Sequence, residues 1–361
     1  MRPKPLSLAL ALLVTACAVS SPTAPHGTPD SISSTRLPLV STSTPSAVNI
    51  SKVIFGLDWA FVGQHAPFFV ALEKGFWKEE GLNVEIVRGF GSADAVQKVA
   101  AGVVNIGYGD TASLIVARAA GADVKLIGMV LSLPPHAVIY LKDRQILRPL
   151  DLEGKRIGAA AGDSVRRVFP AFARIAGFDI NKVEFVTIGY EAYASQLLSK
   201  QIDALAEYYA AKPGYDMVAS QNDIELDILK FSDFGFNIYS NGFLAKESYI
   251  SDNPDVIRKF LRGVYRGFAY AYLNEDEAVD ALLKREPALD RSVAKKQFLL
   301  DKDSVLVPDV IANGYGYIDY MKMQDTINII SESYELVKVP KPEELYTLEY
   351  LPSKEEVTPE R

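Results

Sequence analysis

The sequence predicts an α/β protein of two lobes, each doubly wound, with a ligand cleft between them. Short apolar runs typical of strands alternate with helical segments that end at glycine, and this pattern occurs in two successive units. The chain returns to the first unit after the second is complete. We therefore assign residues 51–141 and 242–340 to the first lobe and residues 142–241 to the second. Residues 341–361, rich in Pro and Glu, are expected to form a C-terminal tail.

Composition limits the function classes. With 361 residues and 48% hydrophobic side chains, the chain is long enough to bury a substantial core. The net charge is −7 and the basic residues are scattered, so we expect no nucleic-acid partner. Three histidines and one cysteine are too few for a zinc cluster, and no cofactor is predicted.

The N-terminus has the pattern of an export signal. Positive charge in residues 1–4 precedes an apolar run, Leu6 to Val14, that is too short to span a bilayer. Small residues directly before Cys17 are similar to a bacterial lipobox. We therefore expect residues 1–16 to be a signal peptide and Cys17 to be lipidated, anchoring the protein to the cell membrane on its extracytoplasmic side. Ordinary signal-peptide cleavage with an incidental cysteine is the alternative. Residues 17–50, rich in Ser, Thr and Pro, are expected to be a flexible tether.

Polar and aromatic residues follow the first predicted strand, in which Val53, Phe55 and Leu57 alternate. They are Asp58, Trp59, Gln64 and His65. In open α/β sheets, ligands bind in the crevice at the carboxyl ends of the strands, so all four are candidate ligand-binding residues.

Each of these residues also has a structural alternative. The Trp59 ring either covers a planar ligand or packs under its own loop. Asp58 either accepts ligand N–H groups or caps the following turn. His65 caps the next helix or donates to a ligand. Phe68 and Phe69 cannot both face the core from one helix, so we expect Phe69 to face the cleft.

A second candidate group in the first lobe follows the strand Val103–Tyr108. Tyr108 ends this strand and Thr111 lies at the start of the next helix, where free backbone N–H groups make it a possible ligand donor. Asp110, between them, is expected to be the N-cap.

The second lobe offers similar strand ends. Ser164 begins a helix after the strand Arg156–Ala160, where an anionic or carbonyl group could dock. The Glu207 carboxylate could accept hydrogen bonds from ring N–H groups of a ligand while the neighbouring Tyr208 stacks on its ring. Surface residues near a loop would show the same pattern. Residues 234–241, just before the chain returns to the first lobe, could form both a hinge and the floor of the pocket. The remaining candidates are Tyr190, Glu207, Tyr208, Tyr239 and Asn241.

Enzymatic activity is not expected. No serine lies in the strand–elbow context of a nucleophile, and only His65 and His136 could act as its base. The glycine spacing matches neither a dinucleotide fingerprint nor a P-loop.

A long stretch resembles a known family. The segment from Leu57-Asp58-Trp59 through Gln64-His65-Ala66-Pro67 to Gly81-Leu82-Asn83-Val84, continued by Gly102–Asp110, resembles the sulfonate- and thiamine-precursor-binding family of bacterial solute-binding proteins. This resemblance covers most of residues 50–275.

The resemblance implies a type II periplasmic-binding-protein fold. It also implies that the protein delivers a small molecule to an ABC permease and its ATPase. Members with Asp-Trp after the first strand hold aromatic heterocycles. By the same resemblance, Trp59 is the stacking wall, Asp58 a hydrogen-bond partner, and Glu207 with Tyr208 lie opposite. The implied partners are a small aromatic ligand, the permease, and the membrane through Cys17, with the chain acting as a monomer.

The expected function is capture of an aromatic vitamin or its precursor. Riboflavin is favoured because the family includes a riboflavin-binding branch and because many aromatics are predicted to face the cleft. The formylaminopyrimidine precursor of thiamine is the first alternative, although residues 60–64 depart from the Pro-Asn-containing loop of those proteins. An alkanesulfonate or nitrate receptor would need an anion site at Thr111, Ser164 and one arginine. A pyrimidine-synthesising enzyme would need His65 in the pocket.

Overall fold

The computed structural model describes residues 50–359, so the signal peptide and Cys17 lie outside the described residues, as does nearly all of the tether. Ten strands form two five-stranded sheets. In chain order they are β1 (Ser51–Gly56), β2 (Leu82–Val87), β3 (Ile106–Asp110), β4 (Val124–Met129), β5 (His136–Leu141), β6 (Arg156–Ala159), β7 (Glu184–Thr187), β8 (Ala204–Tyr208), β9 (Leu226–Lys230) and β10 (Asn241–Lys246).

The α-helices in the described residues cover these sheets and form a C-terminal layer. In chain order they are α1 (Ala66–Glu73), α2 (Phe76–Glu79), α3 (Ser92–Ala100), α4 (Thr111–Ala119), α5 (Ser164–Ala176), α6 (Tyr193–Leu198), α7 (Lys212–Ser220), α8 (Glu247–Asp252), α9 (Pro254–Leu273), α10 (Glu275–Arg285), α11 (Arg291–Leu300), α12 (Lys302–Val305), α13 (Pro308–Asn313), α14 (Tyr320–Ser333) and α15 (Pro342–Leu345). Within the part of the chain described, no helix combines the length and apolarity needed to cross a bilayer.

The two sheets have the same topology. The first has the order β2-β1-β3-β10-β4 and the second has the order β7-β6-β8-β5-β9. In each, the first three strands are parallel, and the fourth runs antiparallel to both of its neighbours. We call the part of the chain built on the first sheet the first lobe and the part built on the second sheet the second lobe. The two antiparallel strands, β5 and β10, each follow a crossing between lobes.

One predicted lobe boundary is therefore wrong. The sequence pattern predicted that Ala137–Leu141 belongs to the first lobe, but β5 pairs with β8 and β9 in the second sheet. The chain crosses between lobes at residues 130–135 and again at residues 231–240. The local pattern could not show the first crossing, because β4 and β5 are both apolar runs and their separation also suits an ordinary turn.

The first lobe has an aromatic core between its sheet and α9. The Trp77 ring stacks on Phe260 at 5.3 Å, and its indole N–H donates to the Phe260 carbonyl at 3.0 Å. The long helix α9 approaches α1 closely because Gly267 has no side chain. A Cβ at that position would lie 2.5 Å from the Pro67 carbonyl oxygen. Large rings and a glycine at the point of closest approach therefore hold α9 in the first lobe.

The C-terminal residues wrap the first lobe instead of hanging free. Leu345 is fully buried, and the backbone N–H of Thr347 donates to the Leu126 carbonyl on β4 at 3.0 Å. Val357, close to the end of the described chain, is also buried. Residues 341–359 are therefore part of the folded unit.

Candidate ligand-binding cleft

A cleft of about 350 Å³ lies between the two lobes, within the size range typical of small-molecule sites. Its walls come from both lobes and from the start of α11. The residues that line it are Asp58, Trp59, Val62, Gln64, Gly91, Ser92, Asp163, Ser164, Tyr190, Glu191, Ala194, Glu207, Tyr208, Ala211, Gly214, Tyr215, Met217, Val218, Ala288, Leu289, Asp290, Val293 and Gln297.

Strand ends position most of the chemistry. Asp58 and Trp59 follow β1, and Glu207 and Tyr208 end β8, so both lobes present the carboxyl ends of their parallel strands to the same space. Ser164 begins α5 just after β6.

An aromatic contact joins the two lobes at this cleft. The Trp59 ring meets Tyr190 edge-to-face at a centroid distance of 5.4 Å, and Tyr193 lies 6.3 Å away. Tyr193 is fully buried and its hydroxyl accepts a hydrogen bond from the Ala160 N–H at 2.5 Å. Tyr190 remains 36% exposed, so it has room to change its contact with Trp59 when a ligand enters. The indole of one lobe thus faces a phenol of the other, and the second phenol supports both.

A buried hydrogen-bond chain lies behind the cleft wall. Asp58 Oδ2 accepts from Asn241 Nδ2 at 2.7 Å, and the other amide atom, Asn241 Oδ1, accepts from the Tyr208 hydroxyl at 2.7 Å. The Ser164 hydroxyl donates to that same phenol oxygen at 2.9 Å. This chain connects the loop after β1 to the second lobe and holds the Asp58 and Tyr208 side chains at the cleft in fixed orientations.

His65 belongs to this support and not to the cleft surface. It is fully buried, its Nδ1 accepts from the Val62 N–H at 3.4 Å, and its Nε2 lies 3.1 Å from Asp58 Oδ1. Because Nδ1 accepts, the hydrogen-bond pattern assigns the proton to Nε2, which donates to the carboxylate. His65 therefore orients Asp58.

Glu207 is a buried carboxyl group of the second lobe. Its two oxygens accept from the Tyr208 backbone N–H at 2.9 Å and from the Tyr215 hydroxyl at 3.1 Å. Burial, and after it the nearby Asp163 carboxylate, raise the pKa of Glu207 to about 8. Asp163 caps α5 by accepting from the Arg166 N–H at 3.0 Å, and burial raises the pKa of Asp163 to about 7. Glu207 can therefore donate a hydrogen bond when protonated and accept one when ionised.

Charge is distributed unevenly over the cleft. Five carboxyl residues line it, and the lining includes no lysine, arginine or histidine among the residues that the structure describes. These carboxyl residues are Asp58, Asp163, Glu191, Glu207 and Asp290. Arg88 comes only within 4.0 Å of Glu191, in an exposed ion pair. The cleft is therefore suited to an aromatic ligand that donates hydrogen bonds.

The structure brings together seven of the residues that the sequence proposed for the site. Those lining the cleft are Asp58, Trp59, Gln64, Ser164, Tyr190, Glu207 and Tyr208. Two more candidates, His65 and Asn241, lie directly behind the wall, both fully buried and both bonded to Asp58. We therefore propose that these two residues position Asp58 and do not contact the ligand directly.

Four candidates lie elsewhere, because each packs into a core or bonds to another element. Phe69 and Phe68 are both buried, and Phe69 meets Phe61 at 5.2 Å, so neither faces the cleft. Tyr108 packs against Phe68 at 5.0 Å. The Thr111 hydroxyl donates to the Ser240 carbonyl at 2.7 Å.

Tyr239 is the fourth of these. Its hydroxyl accepts from the Asp319 N–H at 2.8 Å, and its own N–H donates to Thr326 Oγ1 at 3.1 Å. Both partners belong to the α14 region, so Tyr239 connects the second crossing segment to the C-terminal layer. Tyr239 is not among the residues that line the cleft.

Sequence reasoning missed three parts of the cleft, one of which is α7 with Gly214, Tyr215, Met217 and Val218. Gly91 and Ser92 begin α3 after β2, and the strand-end rule that selected Ser164 would also have selected them. The start of α11, which contributes Asp290, Val293 and Gln297, carries no such signal. It reaches the cleft because Gln297 Oε1 accepts from the Gly63 N–H at 2.9 Å, a contact between residues that are 234 positions apart.

Comparison with known proteins places this geometry in a family. A family model described as NMT1/THI5 like matches residues 62–278. The chain belongs to the NMT1/THI5-like family. The family resemblance seen in the sequence is thereby confirmed.

The relatives of this NMT1/THI5-like chain include binding proteins and enzymes. It is 28% identical over 233 residues to the formylaminopyrimidine-binding protein of Halalkalibacterium halodurans, which covers 64% of this chain and 69% of that protein. It is 27% identical over 288 residues to the riboflavin-binding protein RibY of Chloroflexus aurantiacus, covering 78% and 77%. A 4-amino-5-hydroxymethyl-2-methylpyrimidine phosphate synthase of Legionella pneumophila is 27% identical over 250 residues, covering 69% and 78%.

A solved structure confirms the fold. The alkanesulfonate-binding protein SsuA of Xanthomonas axonopodis pv. citri superposes on the NMT1/THI5-like chain with a TM-score of 0.63. The match covers 82% of this chain and 99% of that one, at 15% identity. The predicted bilobed α/β fold of the periplasmic binding proteins is therefore correct.

Proposed function

We propose that this solute-binding protein captures a planar nitrogen heterocycle for an ABC importer, with riboflavin as the first candidate cargo. The observation that carries the proposal is the pairing of an aromatic wall, Trp59 and Tyr190, with carboxyl groups in a cleft whose described lining has no basic side chain. Planar rings stack favourably on indole and phenol, and ring N–H groups donate to carboxylates.

Each part of the cleft then has a role. The Trp59 face covers the ring of the ligand, and Tyr190 closes over it from the second lobe. Asp58, held by His65 and Asn241, accepts a ligand donor, and its oxygens retain lone pairs for this because a carboxylate offers about four acceptor positions. Glu207 meets the polar edge from the opposite side. Because these groups are buried, a ligand without matching partners would leave them unsatisfied and would bind weakly.

The relatives support this class of cargo in two forms. Binding proteins for riboflavin and for formylaminopyrimidine both align with most of the chain. The pyrimidine therefore remains the alternative cargo within the same mechanism.

The anion-receptor alternative loses its site in this structure. It required Thr111, Ser164 and one arginine, but Thr111 is buried against Ser240 and the described lining of the cleft has no arginine. The Ser164 hydroxyl is already donated to Tyr208. A sulfonate or nitrate in the cleft would meet carboxyl groups and no arginine, the side chain that binds such oxyanions through two hydrogen bonds.

Binding without turnover is the activity that the geometry favours. A synthase that consumes its own histidine would need that side chain exposed to the ligand, whereas His65 is fully buried with both ring nitrogens engaged. We therefore propose a transport role and not the synthase activity for which some relatives are named.

Thermal unfolding tests the cargo directly, using residues 48–361, which form a compact unit. The ligands are riboflavin, formylaminopyrimidine, thiamine, taurine and nitrate, each added separately. A ligand present at roughly 100 times its dissociation constant adds about 2.7 kcal/mol to the free energy of unfolding and raises the midpoint visibly. A shift with riboflavin supports the first candidate, and a shift with the pyrimidine alone changes the cargo but not the mechanism. A shift confined to taurine or nitrate would contradict the proposal.

We also propose that Cys17 carries the lipid that keeps the protein at the outer face of the cell membrane. The full chain should fractionate with membranes and incorporate labelled palmitate, whereas the Cys17→Ser variant should do neither. A soluble wild-type chain without label would mean that the cysteine is incidental and that ordinary signal-peptide cleavage applies.

A further inference from the structure

We infer that the cleft rejects the phosphorylated form of its cargo, so that the protein imports only the free heterocycle. This inference rests on the proposed function, because it specifies which chemical form of the heterocycle is bound. It is carried by the five carboxyl residues of the cleft lining, two of which cap helices there, and by the lack of a basic side chain among the described lining residues.

Helix N-termini are the usual phosphate-binding positions in such folds, and the starts of α3, α5, α6, α7 and α11 all contribute residues to the cleft lining. Two are occupied by their own aspartates. Asp163 accepts from the Arg166 N–H at the start of α5, and Asp290 accepts from the Val293 N–H at 2.9 Å at the start of α11. Both aspartates line the cleft, so a phosphate approaching either helix would meet a carboxyl group instead of free N–H donors.

Helix α3 also carries an acidic residue, Asp94, in its first turn. Asp94 Oδ2 accepts from the Phe90 N–H at 3.3 Å, just before the helix, and from Lys98 Nζ at 2.6 Å. The lysine is thereby paired on the helix surface and is absent from the cleft lining. The starts of α3 and α7 carry no side-chain cap, so there the carboxyl groups of the lining, and not a capped helix end, oppose a phosphate.

Nearby arginines are held away as well. The Arg166 guanidinium donates to Thr187 Oγ1 at 2.7 Å and lies over the Phe185 ring at 5.1 Å. Arg88 pairs with the exposed Glu191 and lies over the Phe90 ring at 4.7 Å. A phosphate in the cleft would thus have several carboxyl neighbours and no cationic one among the described lining residues.

If only the free heterocycle is bound, the protein acts after a reaction that hydrolyses phosphorylated forms. A phosphorylated vitamin outside the membrane would first have to lose its phosphate, with water cleaving the phosphate monoester to give the free alcohol and inorganic phosphate. The free alcohol is the form that the cleft accepts.

Matched ligand pairs test the inference on residues 48–361. The pairs are riboflavin with riboflavin 5′-phosphate, and 4-amino-5-hydroxymethyl-2-methylpyrimidine with its phosphate. Affinities are measured by titration calorimetry at about pH 8.5, where a phosphate monoester is dianionic and Glu207, with a pKa of about 8, is mostly ionised. The phosphorylated member should bind at least ~100-fold more weakly, because repulsion by several carboxylates at short range easily exceeds that ratio.

Isosteric variants separate charge from size. The triple variant Asp163→Asn, Glu207→Gln, Asp290→Asn keeps side chains that can still cap and accept, and it should reduce the discrimination to below ~10-fold. Asp319→Asn, which changes the N-cap of α14 away from the cleft, is the control and should keep the wild-type ratio. Salt is a second measurement that needs no variant, since ~1 M salt shortens the screening length to about 3 Å and should reduce the wild-type ratio.

The outcomes are distinct. Comparable affinity for both members of a pair in the wild type overturns the inference and leaves the proposed function standing. Discrimination that survives both the triple variant and high salt shows exclusion by shape and also overturns it. If neither member of either pair binds, the proposed function fails and this inference fails with it.

Discussion

Trp59→Ala is expected to weaken cargo binding by about 2 kcal/mol or more, which is roughly 30-fold. The indole is the largest side chain in the cleft lining, and its contact with Tyr190 at 5.4 Å shows that the two rings can enclose a flat ligand from opposite lobes. Removing it takes away the stacked face and lets water reach the polar groups behind it. The affinity should be measured by calorimetry, with quenching of riboflavin fluorescence as a second readout.

The control for this variant is Trp59→Phe, which keeps an aromatic face of smaller area. It should lose distinctly less affinity than the alanine variant. The unfolding midpoint of both unliganded variants should change little, because Trp59 is only partly buried at the edge of the second-lobe core. Equal losses for Phe and Ala, or no loss for Ala, would mean that the indole packs under its own loop and does not cover the ligand.

Gly91→Ala is expected to prevent the lobes from closing and so to weaken binding strongly. Gly91 of the first lobe has φ +115°, and a Cβ there would lie 2.2 Å from the Gly162 carbonyl oxygen of the second lobe. The Gly162 atoms that this Cβ would meet belong to the backbone, so relieving the clash needs a backbone shift, and we expect that shift to separate the lobes. If the closed state loses about 2–3 kcal/mol, the apparent affinity falls by roughly 30- to 150-fold, because only the closed fraction holds the ligand fully.

Gly121→Ala is the matched control, because Gly121 has φ +98° but a Cβ there would meet nothing within 4 Å. It should lose about 1–2 kcal/mol of stability through backbone strain alone and keep the wild-type affinity. Small-angle scattering with saturating ligand should show a larger radius of gyration for Gly91→Ala than for the control. A normal affinity and a compact Gly91→Ala protein would show that this contact does not limit closure.

Two buried polar residues of the first lobe lie behind the cleft wall and hold Asp58 in place. They are His65, which is seven residues away along the chain, and Asn241, which is 183 residues away. Because Asn241 also accepts from Tyr208, a single amide connects the carboxylate of one lobe to the phenol of the other. Opening of the lobes would break this connection, so ligand binding and lobe closure are expected to favour each other.

The sequence by itself determined the features that depend on local pattern. Strand alternation and glycine at helix ends identify the α/β units, and residues directly after a strand must lie at its carboxyl edge. For this reason Asp58, Trp59, Glu207 and Tyr208 could be placed at the cleft before any coordinates were known. The family resemblance depended on the same contiguous residues, and the match to the NMT1/THI5-like family confirms it.

Only the tertiary structure decided the features that depend on distant contacts. Strand β5 joins the second sheet because it pairs with β8 and β9, and no local signal shows where the chain changes lobe. Tyr108 and Tyr239 resemble cleft residues in sequence but pack into other parts of the protein, since burial depends on what lies opposite in space. The start of α11 enters the cleft through the bond between Gly63 and Gln297. A strand end determines where a side chain begins, whereas long-range packing determines what that side chain meets.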